Sequence, residues 1–316
     1  MKNINPGQAI RILASVGVIA AILTPTTAIQ QELYRTQAWV TESSCPDNTS
    51  AVFHECALEA AEGFDPPRTS DGRPDMGGIW QLPGAANEDL EEHPEAFDDT
   101  GGPASIVDPS DGKVPMRSWA AVRRGENAQE NIHPSAACLL SGMPYTMYRP
   151  GPYQFLQTPD YFVVLSTRAH AYRVVSLEEL PPVGDDLRLW NGISRGRWEG
   201  NTLVIETTNQ NAMTWLDQRA RFYTKDAQVV ERLTLIDTDT IHYQATVTDP
   251  DVYTSPFTIA LAYRRNAVEG FEMLVEACYE NNETLLEIYR LAGLTLYPGI
   301  SAEEAREAME AAGPEP

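Results

Sequence analysis

Short runs in which apolar and polar residues alternate fill the second half of the chain, from Tyr153 onward. The clearest run is 240–248, in which one face carries the apolar side chains of Ile241, Tyr243, Ala245 and Val247. A period of two residues is typical of a β-strand with one buried face. This part of the chain is therefore predicted to form a sheet with distinct inner and outer faces.

The same pattern predicts strands at 154–158, 161–166, 172–176, 194–198, 202–207, 227–236, 240–248, 257–264 and 271–278. Short turn sequences such as Gly200-Asn201 and Asp237-Thr238-Asp239 separate neighbouring runs. Strands in quick succession favour an antiparallel up-and-down meander, which tends to close because closure removes exposed edges. We predict a mainly β protein whose meander forms a barrel or half-barrel over residues 151–282. A flat sandwich is the alternative.

The flanking segments lack this alternation. Residues 29–150 are predicted to be an irregular N-terminal arm and linker that packs on the barrel, with short helices near 50–62 and 116–129. Residues 283–316 are predicted to form short C-terminal helices and a tail. The second of these helices should begin at Ser301, because Ser301 and Glu304 form a capping-box pattern.

Residues 1–28 are typical of a signal peptide. Lys2 and Arg11 precede the apolar run Ile12–Leu23, and small residues follow at 26–28. The run is short for a membrane span but fits the core of an export signal. We expect a periplasmic or secreted protein without a stable membrane span after cleavage. An uncleaved N-terminal tether is the alternative.

The chain is strongly acidic, with 45 Asp and Glu residues against 23 Lys and Arg and a formal net charge of −22. Such a surface repels phosphates, so nucleic acid is not an expected partner. The densest acidic stretch is Glu88–Asp99, which we interpret as a solvated loop or short helix. It lacks the spacing of a Ca²⁺-binding loop.

Four cysteines in an exported chain indicate two disulfides. The favoured pairing is Cys45 with Cys56 and Cys138 with Cys278, although four cysteines allow three pairings. The chain has no CxxC motif, and no two of its histidines are two or four residues apart. Phosphate-loop, HExxH and dinucleotide-binding motifs are also absent. We therefore expect no metal and no cofactor.

Several blocks resemble a large, functionally uncharacterised family of exported bacterial β-rich proteins. They are RTSDGRPDMGGIW (68–80), LWNGISRGRWEGNTLVIETTN (189–209), VVERLTLIDTDTIHYQATVTDPDVYTSPF (229–257) and EACYENN (276–282). The resemblance implies export and a β-rich architecture but no catalytic residues. Tyr279 and Gln210 depart from it, because His and an aromatic residue are expected there. Gly-x-Trp, at 78–80 and 196–198, is also similar to the first strand of lipocalin-like barrels.

Two groups of residues could carry chemistry. His242 is the candidate proton carrier, with Glu231 or Asp249 to orient it. The candidate ligand-binding residues combine aromatic faces, guanidinium groups and other polar side chains, which suit a flat apolar ligand with an anionic or carbonyl edge. They are Trp190, Asn191, Arg195, Arg197, Tyr243, Tyr253 and Glu276.

These residues support a cofactor-free acid/base enzyme acting on a small apolar or carbonyl-bearing compound, by hydrolysis, elimination, isomerisation or cyclisation. The alternative is a lipocalin-like protein that binds a small ligand without catalysis. A structural envelope protein is a third hypothesis. The sequence makes no prediction about the oligomeric state.

Overall fold

The computed structural model describes residues 39–314, except 85, 97–98, 275, 277 and 279–281. The predicted signal peptide therefore lies outside the described residues. Within the described part, the strands are β1 (Gly78–Gln81), β2 (Ile106–Asp108), β3 (Asn131–Ile132), β4 (Pro152–Gln157), β5 (Tyr161–Ser166), β6 (Tyr172–Ser176), β7 (Ile193–Glu199), β8 (Thr202–Thr208), β9 (Gln228–Leu235), β10 (Thr240–Thr248), β11 (Phe257–Arg265) and β12 (Thr295–Leu296).

Strands β1 and β4 to β11 form a closed barrel. The order is β1-β4-β5-β6-β7-β8-β9-β10-β11, and β11 pairs back with β1. Neighbouring strands are antiparallel, except that β6 and β7 are parallel. Strand β2 pairs with the first half of β11, outside the ring, and β12 pairs with β3 in a separate two-stranded sheet. The mainly β, largely antiparallel barrel is thus confirmed.

Two details of the predicted sheet are wrong. The described residues of the predicted strand 271–278 are not in a strand, and the β1–β11 pair closes the barrel instead. The strand that closes it, β1, lies inside the segment predicted to be an irregular arm. The β6–β7 connection, residues 177–192, returns the chain to the same end of the barrel, which makes this pair parallel.

Aromatic side chains occupy the barrel interior. Trp80, Tyr153, Phe155, Tyr243 and Tyr263 are fully buried. The ring of Tyr263 makes edge contacts with three of the others, with centroids 5.4–5.6 Å apart. Their hydroxyl groups also have partners, since the Tyr153 hydroxyl donates to the carbonyl of Thr146 at 3.0 Å. Side chains therefore fill space that a lipocalin-like barrel would leave to a ligand.

One cation, Arg173 on β6, lies among these rings. Its guanidinium donates to both carboxylate oxygens of Glu231 on β9, at 2.9 and 2.5 Å. It also donates to Ser194 on β7 at 2.9 Å and to Thr207 on β8 at 2.8 Å. Burial opposes the charge, but the Glu231 carboxylate outweighs it and raises the pKa of Arg173. These bonds join four strands across the short parallel β6–β7 pair.

Four α-helices are found among the described residues: α1 (Ser50–Gly63), α2 (Ser118–Glu130), α3 (Glu283–Leu291) and α4 (Ala302–Ala312). Thr49 caps α1, and the predicted capping box of Ser301 and Glu304 begins α4. Helix α1 covers the outer face of the sheet through a small apolar cluster: Cys45, Phe53, Ala57, Ile236 and Ala262. None of the helices in the described range has the length and apolar character needed to cross a bilayer.

Both predicted disulfides are present. Cys45–Cys56 joins the segment before α1 to the helix itself, and Cys138–Cys278 joins two segments 140 residues apart. The described part of the chain has no free cysteine. The second disulfide therefore encloses the whole run of strands from β4 to β11.

Removing the Glu231 carboxylate leaves the Arg173 charge buried without its partner. We expect Glu231→Ala to lower the free energy of unfolding by about 3–5 kcal/mol, measured by urea denaturation followed by circular dichroism. The matched control is Glu206→Ala, which removes a carboxylate that pairs with Arg197 on the exposed outer face. That loss should stay below about 1 kcal/mol. Equal losses in the two variants would contradict the role given to the buried pair.

Candidate functional site

The three predicted acid/base residues do not share a cavity. Glu231 points into the barrel, where it accepts from Arg173 and from the Tyr243 hydroxyl at 2.9 Å. His242 is on the opposite face of the sheet, as alternation requires, and Asp249 lies in the turn after β10. The Asp249 carboxylate is buried and accepts the backbone N–H of Thr224 at 2.6 Å, so it connects that turn to the segment before β9.

His242 is buried although it is on the outer face of the barrel. Helix α1 covers it, with Phe53 packed edge-on at 5.5 Å and His54 Nδ1 only 3.0 Å from His242 Nε2. Burial, with a smaller contribution from His54, lowers the pKa of His242 to about 3. The ring is therefore neutral at physiological pH and sealed from solvent by the helix.

The predicted ligand-binding residues are also dispersed. Tyr243 and Tyr253 are buried in the core, and the Tyr253 hydroxyl donates to the carbonyl of Phe222 at 2.5 Å. Arg197 is exposed and pairs with Glu199 and Glu206 on the outer face. Trp190 is half-buried, and half-buried Asn191 accepts a hydrogen bond from Thr146 at 3.4 Å. These side chains do not converge on one ligand position.

Gly192-Ile193-Ser194-Arg195-Gly196 matches the GxSxG pattern of hydrolase nucleophiles. Ser194, however, lies within β7 and is buried, where its hydroxyl accepts from Arg173 and lies 3.0 Å from Thr207 Oγ1. A nucleophile elbow needs a sharp strand-to-helix turn with a histidine at the serine. Ser194 is therefore a structural residue of the barrel interior.

Arg195 lines a cleft of about 600 Å³ on the outer face of β7 and β8. Its other charged lining residues have both signs and include Asp185, Arg188, Glu206 and Lys225. Among the described residues that line it, none is aromatic. A flat ligand would find neither a stacking surface nor an unbalanced charge there, so this cleft is the weaker candidate despite its size.

A second cleft of about 500 Å³ has the features that the first lacks. We name it the Arg149 cleft, and its lining residues are Asn87, Glu88, Ile132, His133, Ser135, Ala136, Tyr145, Arg149, Pro150, Arg168, Trp215, Gln218 and Tyr289. The wall combines four aromatic or imidazole rings with two guanidinium groups. Its volume falls within the range of ordinary small-molecule sites.

Three rings build the buried wall of the Arg149 cleft. His133 lies between Tyr145 and Trp215, with ring centroids 4.9 and 5.5 Å away and both contacts edge-to-face. The Trp215 indole nitrogen is buried without a hydrogen-bond partner among the described residues. A buried donor without a partner costs free energy unless another group accepts from it.

His133 is held in one tautomer. Its Nδ1 accepts the backbone N–H of Ser135 at 3.0 Å and is 2.7 Å from the Ser135 hydroxyl, so the ring hydrogen is on Nε2. Burial, and then the nearby Arg149 charge, lower the pKa of His133 to about 3. His133 is therefore a neutral part of the wall rather than a proton acceptor at neutral pH.

The two guanidinium groups of the cleft differ in their partners. Arg168 donates to Glu276 at 2.7 Å, and the backbone N–H of Ala169 donates to the same carboxylate at 2.8 Å. Burial opposes the charge of Glu276, but these two donors hold its pKa below the ordinary value. The predicted ligand contact Glu276 is thus beside the cleft, where it neutralises Arg168.

Arg149 is half-buried and lies over the Tyr145 ring, with its guanidinium carbon 5.9 Å from the ring centroid. It donates to the Ser141 hydroxyl at 3.0 Å. Within the described ranges, no carboxylate oxygen lies within 4.0 Å of it. Arg149 therefore has a hydrogen-bond partner but no direct salt bridge in the part of the chain that is described, although its charge helps to lower the pKa of Glu276.

The acidic stretch brings a third group of residues together beside the cleft. Glu88, His93 and Asp99 each offer one atom, and these atoms all lie within 4.8 Å of one another. It is the one such group of three possible metal ligands among the described residues. Burial and a hydrogen bond with Asp99 raise the pKa of Glu88, which also lines the Arg149 cleft.

Comparison with known proteins adds no name to this geometry. No family model matches the chain, and no curated protein matches it.

The pH dependence of stability tests the buried position of His242. In the unfolded chain this histidine takes up a proton near pH 6.5, whereas the folded protein resists protonation until about pH 3. Its contribution is therefore present above pH 6.5 and is lost as the pH falls from 6.5 towards 3. We expect His242→Gln to reduce the slope of unfolding free energy against pH, between pH 6 and 4, by about 1.4 kcal/mol per unit.

Urea denaturation at several pH values measures this slope, and His133, whose pKa is also about 3, contributes equally to both proteins. Identical slopes in wild type and His242→Gln would show that His242 is protonated in the folded protein as easily as in the unfolded chain.

Proposed function

We propose that this protein binds a small organic anion, with a flat unsaturated body and a carboxylate or similar group, in the Arg149 cleft. The observation that carries the proposal is the half-buried guanidinium of Arg149, which lies over Tyr145 without a carboxylate partner among the described residues. A carboxylate ligand would supply that partner and accept charge-assisted hydrogen bonds. The rings of Tyr145, His133 and Trp215 offer edges and faces for the flat part of the ligand.

The proposed ligand has the flat body and anionic edge that the sequence predicted, but its site is the Arg149 cleft and not the residues predicted to bind it. The barrel interior is occupied by aromatic rings and the Arg173–Glu231 pair, so a ligand held inside a lipocalin-like barrel has little support. The Arg149 cleft is built instead from the segments that precede β4 and follow β8, together with Arg168 and Tyr289. The barrel is then the rigid support of an external site.

We also propose that the protein works outside the cytoplasm. Two disulfides in one chain support this, because thiols stay reduced in most cytoplasms. The resemblance to exported β-rich proteins points the same way and remains a prediction.

An acid/base enzyme is the second candidate, because Glu88, His133 and Tyr145 line the same cleft. Burial lowers the pKa of His133 to about 3 and raises that of Tyr145 to about 12, so neither group exchanges protons readily at pH 7. Turnover of an aryl ester or enolisable ketone that disappears in Glu88→Gln would favour the enzyme over the binding protein.

Binding is tested by isothermal titration calorimetry with benzoate, 2-naphthoate and indole-3-acetate. The neutral amide of 2-naphthoate serves as a charge control. We expect at least one carboxylate to bind, and Arg149→Gln to weaken it by about 10- to 100-fold, because a hydrogen bond to a charged group contributes about 1.5–3 kcal/mol. The amide should bind weakly and respond little to the substitution.

The matched control is Arg197→Gln, which removes a guanidinium from the outer face of β7. It should leave carboxylate affinity unchanged. The proposal is overturned if none of the three carboxylates binds. It is also overturned if Arg149→Gln, like the control Arg197→Gln, binds them as tightly as the wild type.

A further inference from the structure

We propose that Glu88, His93 and Asp99 bind one first-row divalent cation, such as Zn²⁺ or Mn²⁺. Two carboxylates and an imidazole supply the donors, and the ring nitrogen favours these ions over Ca²⁺, which takes six to eight oxygen ligands. The proposal departs from the expectation of a metal-free protein, which rested on the spacing of histidines. It stands independently of the proposed ligand in the Arg149 cleft.

The donor atoms already lie at coordination distances from one another. His93 Nε2 is 3.0 Å from Asp99 Oδ1 and 3.9 Å from Glu88 Oε2. Bonds of about 2.0–2.2 Å to zinc place neighbouring ligand atoms roughly 3–4 Å apart. A cation could therefore be held by these atoms with small side-chain movements.

His93 is the independent indication that this is more than an acidic cluster. Its side chain is only 4% exposed, yet Nε2 has no hydrogen-bond partner among the described residues and faces the two carboxylates. Its Nδ1 is 2.8 Å from the carbonyl oxygen of Glu91, which can only accept, so Nδ1 carries the hydrogen. Nε2 therefore faces the carboxyl groups of Asp99 and Glu88 with its lone pair.

A cation held between the three groups would be bound by the Nε2 lone pair and by both carboxyl groups at once. Histidines that bind metals commonly donate their second ring nitrogen to a backbone carbonyl, as His93 does to Glu91. Nε2 is 3.0 Å from Asp99 Oδ1 but has no hydrogen-bond partner among the described residues, and this geometry points to a metal ion between the donors.

Other groups orient the two carboxylates. Arg219 donates to Asp99 Oδ2 at 2.6 Å, while the backbone N–H of Gly101 donates to Oδ1 at 2.8 Å. The Thr100 backbone N–H donates to Glu88 Oε2 at 3.0 Å. These bonds fix the ligand atoms before a cation arrives, and three protein donors leave coordination positions for water or another ligand.

The test is metal binding by the full-length protein after removal of bound ions with a chelator. Isothermal titration calorimetry with Zn²⁺, Mn²⁺ and Ca²⁺ should give one equivalent of Zn²⁺ or Mn²⁺ and much weaker Ca²⁺ binding. Co²⁺ absorption should report a site with one nitrogen donor. His93→Gln and Asp99→Asn should each weaken binding by at least about 100-fold, since even outer residues of metal sites contribute 10- to 100-fold.

Matched controls lie nearby. Glu92→Gln removes an exposed carboxylate from the same segment, and His54→Gln removes a histidine of helix α1 that faces His242. Both should bind metal like the wild type, and circular dichroism checks that every variant is folded. The proposal is overturned if no stoichiometric Zn²⁺ or Mn²⁺ binding occurs, or if His93→Gln and Asp99→Asn retain wild-type affinity. A misfolded His93→Gln leaves Asp99→Asn and the Co²⁺ spectrum of the wild type to decide.

Discussion

The barrel depends on Arg173 because the β6–β7 contact is one of its two shortest junctions, together with β1–β11. That parallel pair joins only Val175 to Ser194 and Ser176 to Arg195. Arg173 compensates by donating to β7, β8 and β9 from a single side chain on β6. The desolvation cost of burying a guanidinium is offset only by good partners, and here each of the three guanidinium nitrogens donates to Glu231, Ser194 or Thr207.

This interaction also decides where a ligand can bind. Glu231 accepts hydrogen bonds from Arg173 and from the Tyr243 hydroxyl. Aromatic rings fill the space around these groups. The polar side chains inside the barrel therefore have structural roles. The polar groups that can still bind a ligand lie outside the barrel. Arg149 and the nitrogens of Trp215 and His93 are the clearest of these, and Glu88 belongs both to the Arg149 cleft and to the proposed cation site. Two neighbouring sites could share one carboxylate.

Sequence periodicity predicted the sheet well because it reports which face of a strand is buried. It correctly placed His242 opposite Tyr243, but it could not show that α1 would cover that outer face. β1 was left outside the predicted barrel range because four residues are too few to show a period, although its Gly-x-Trp start resembles the first strand of lipocalin-like barrels. The residues of the Arg149 cleft come mostly from turns and irregular segments, where the pattern of apolar residues carries no information. Glu88 and His93 were visible only as part of an acidic stretch, since their meeting with Asp99 depends on how the loop folds back.

The Cys138–Cys278 disulfide makes the barrel strands β4 to β11 part of a covalent ring. A protease that cuts a surface loop anywhere between these cysteines would open the ring without releasing a fragment. The two pieces would stay linked, and the strand pairs on either side of the cut could remain in register. In a compartment rich in proteases, one nick would then leave a linked, two-chain molecule that still holds the wall beside Cys138, including Ser135 and Ala136 of the cleft.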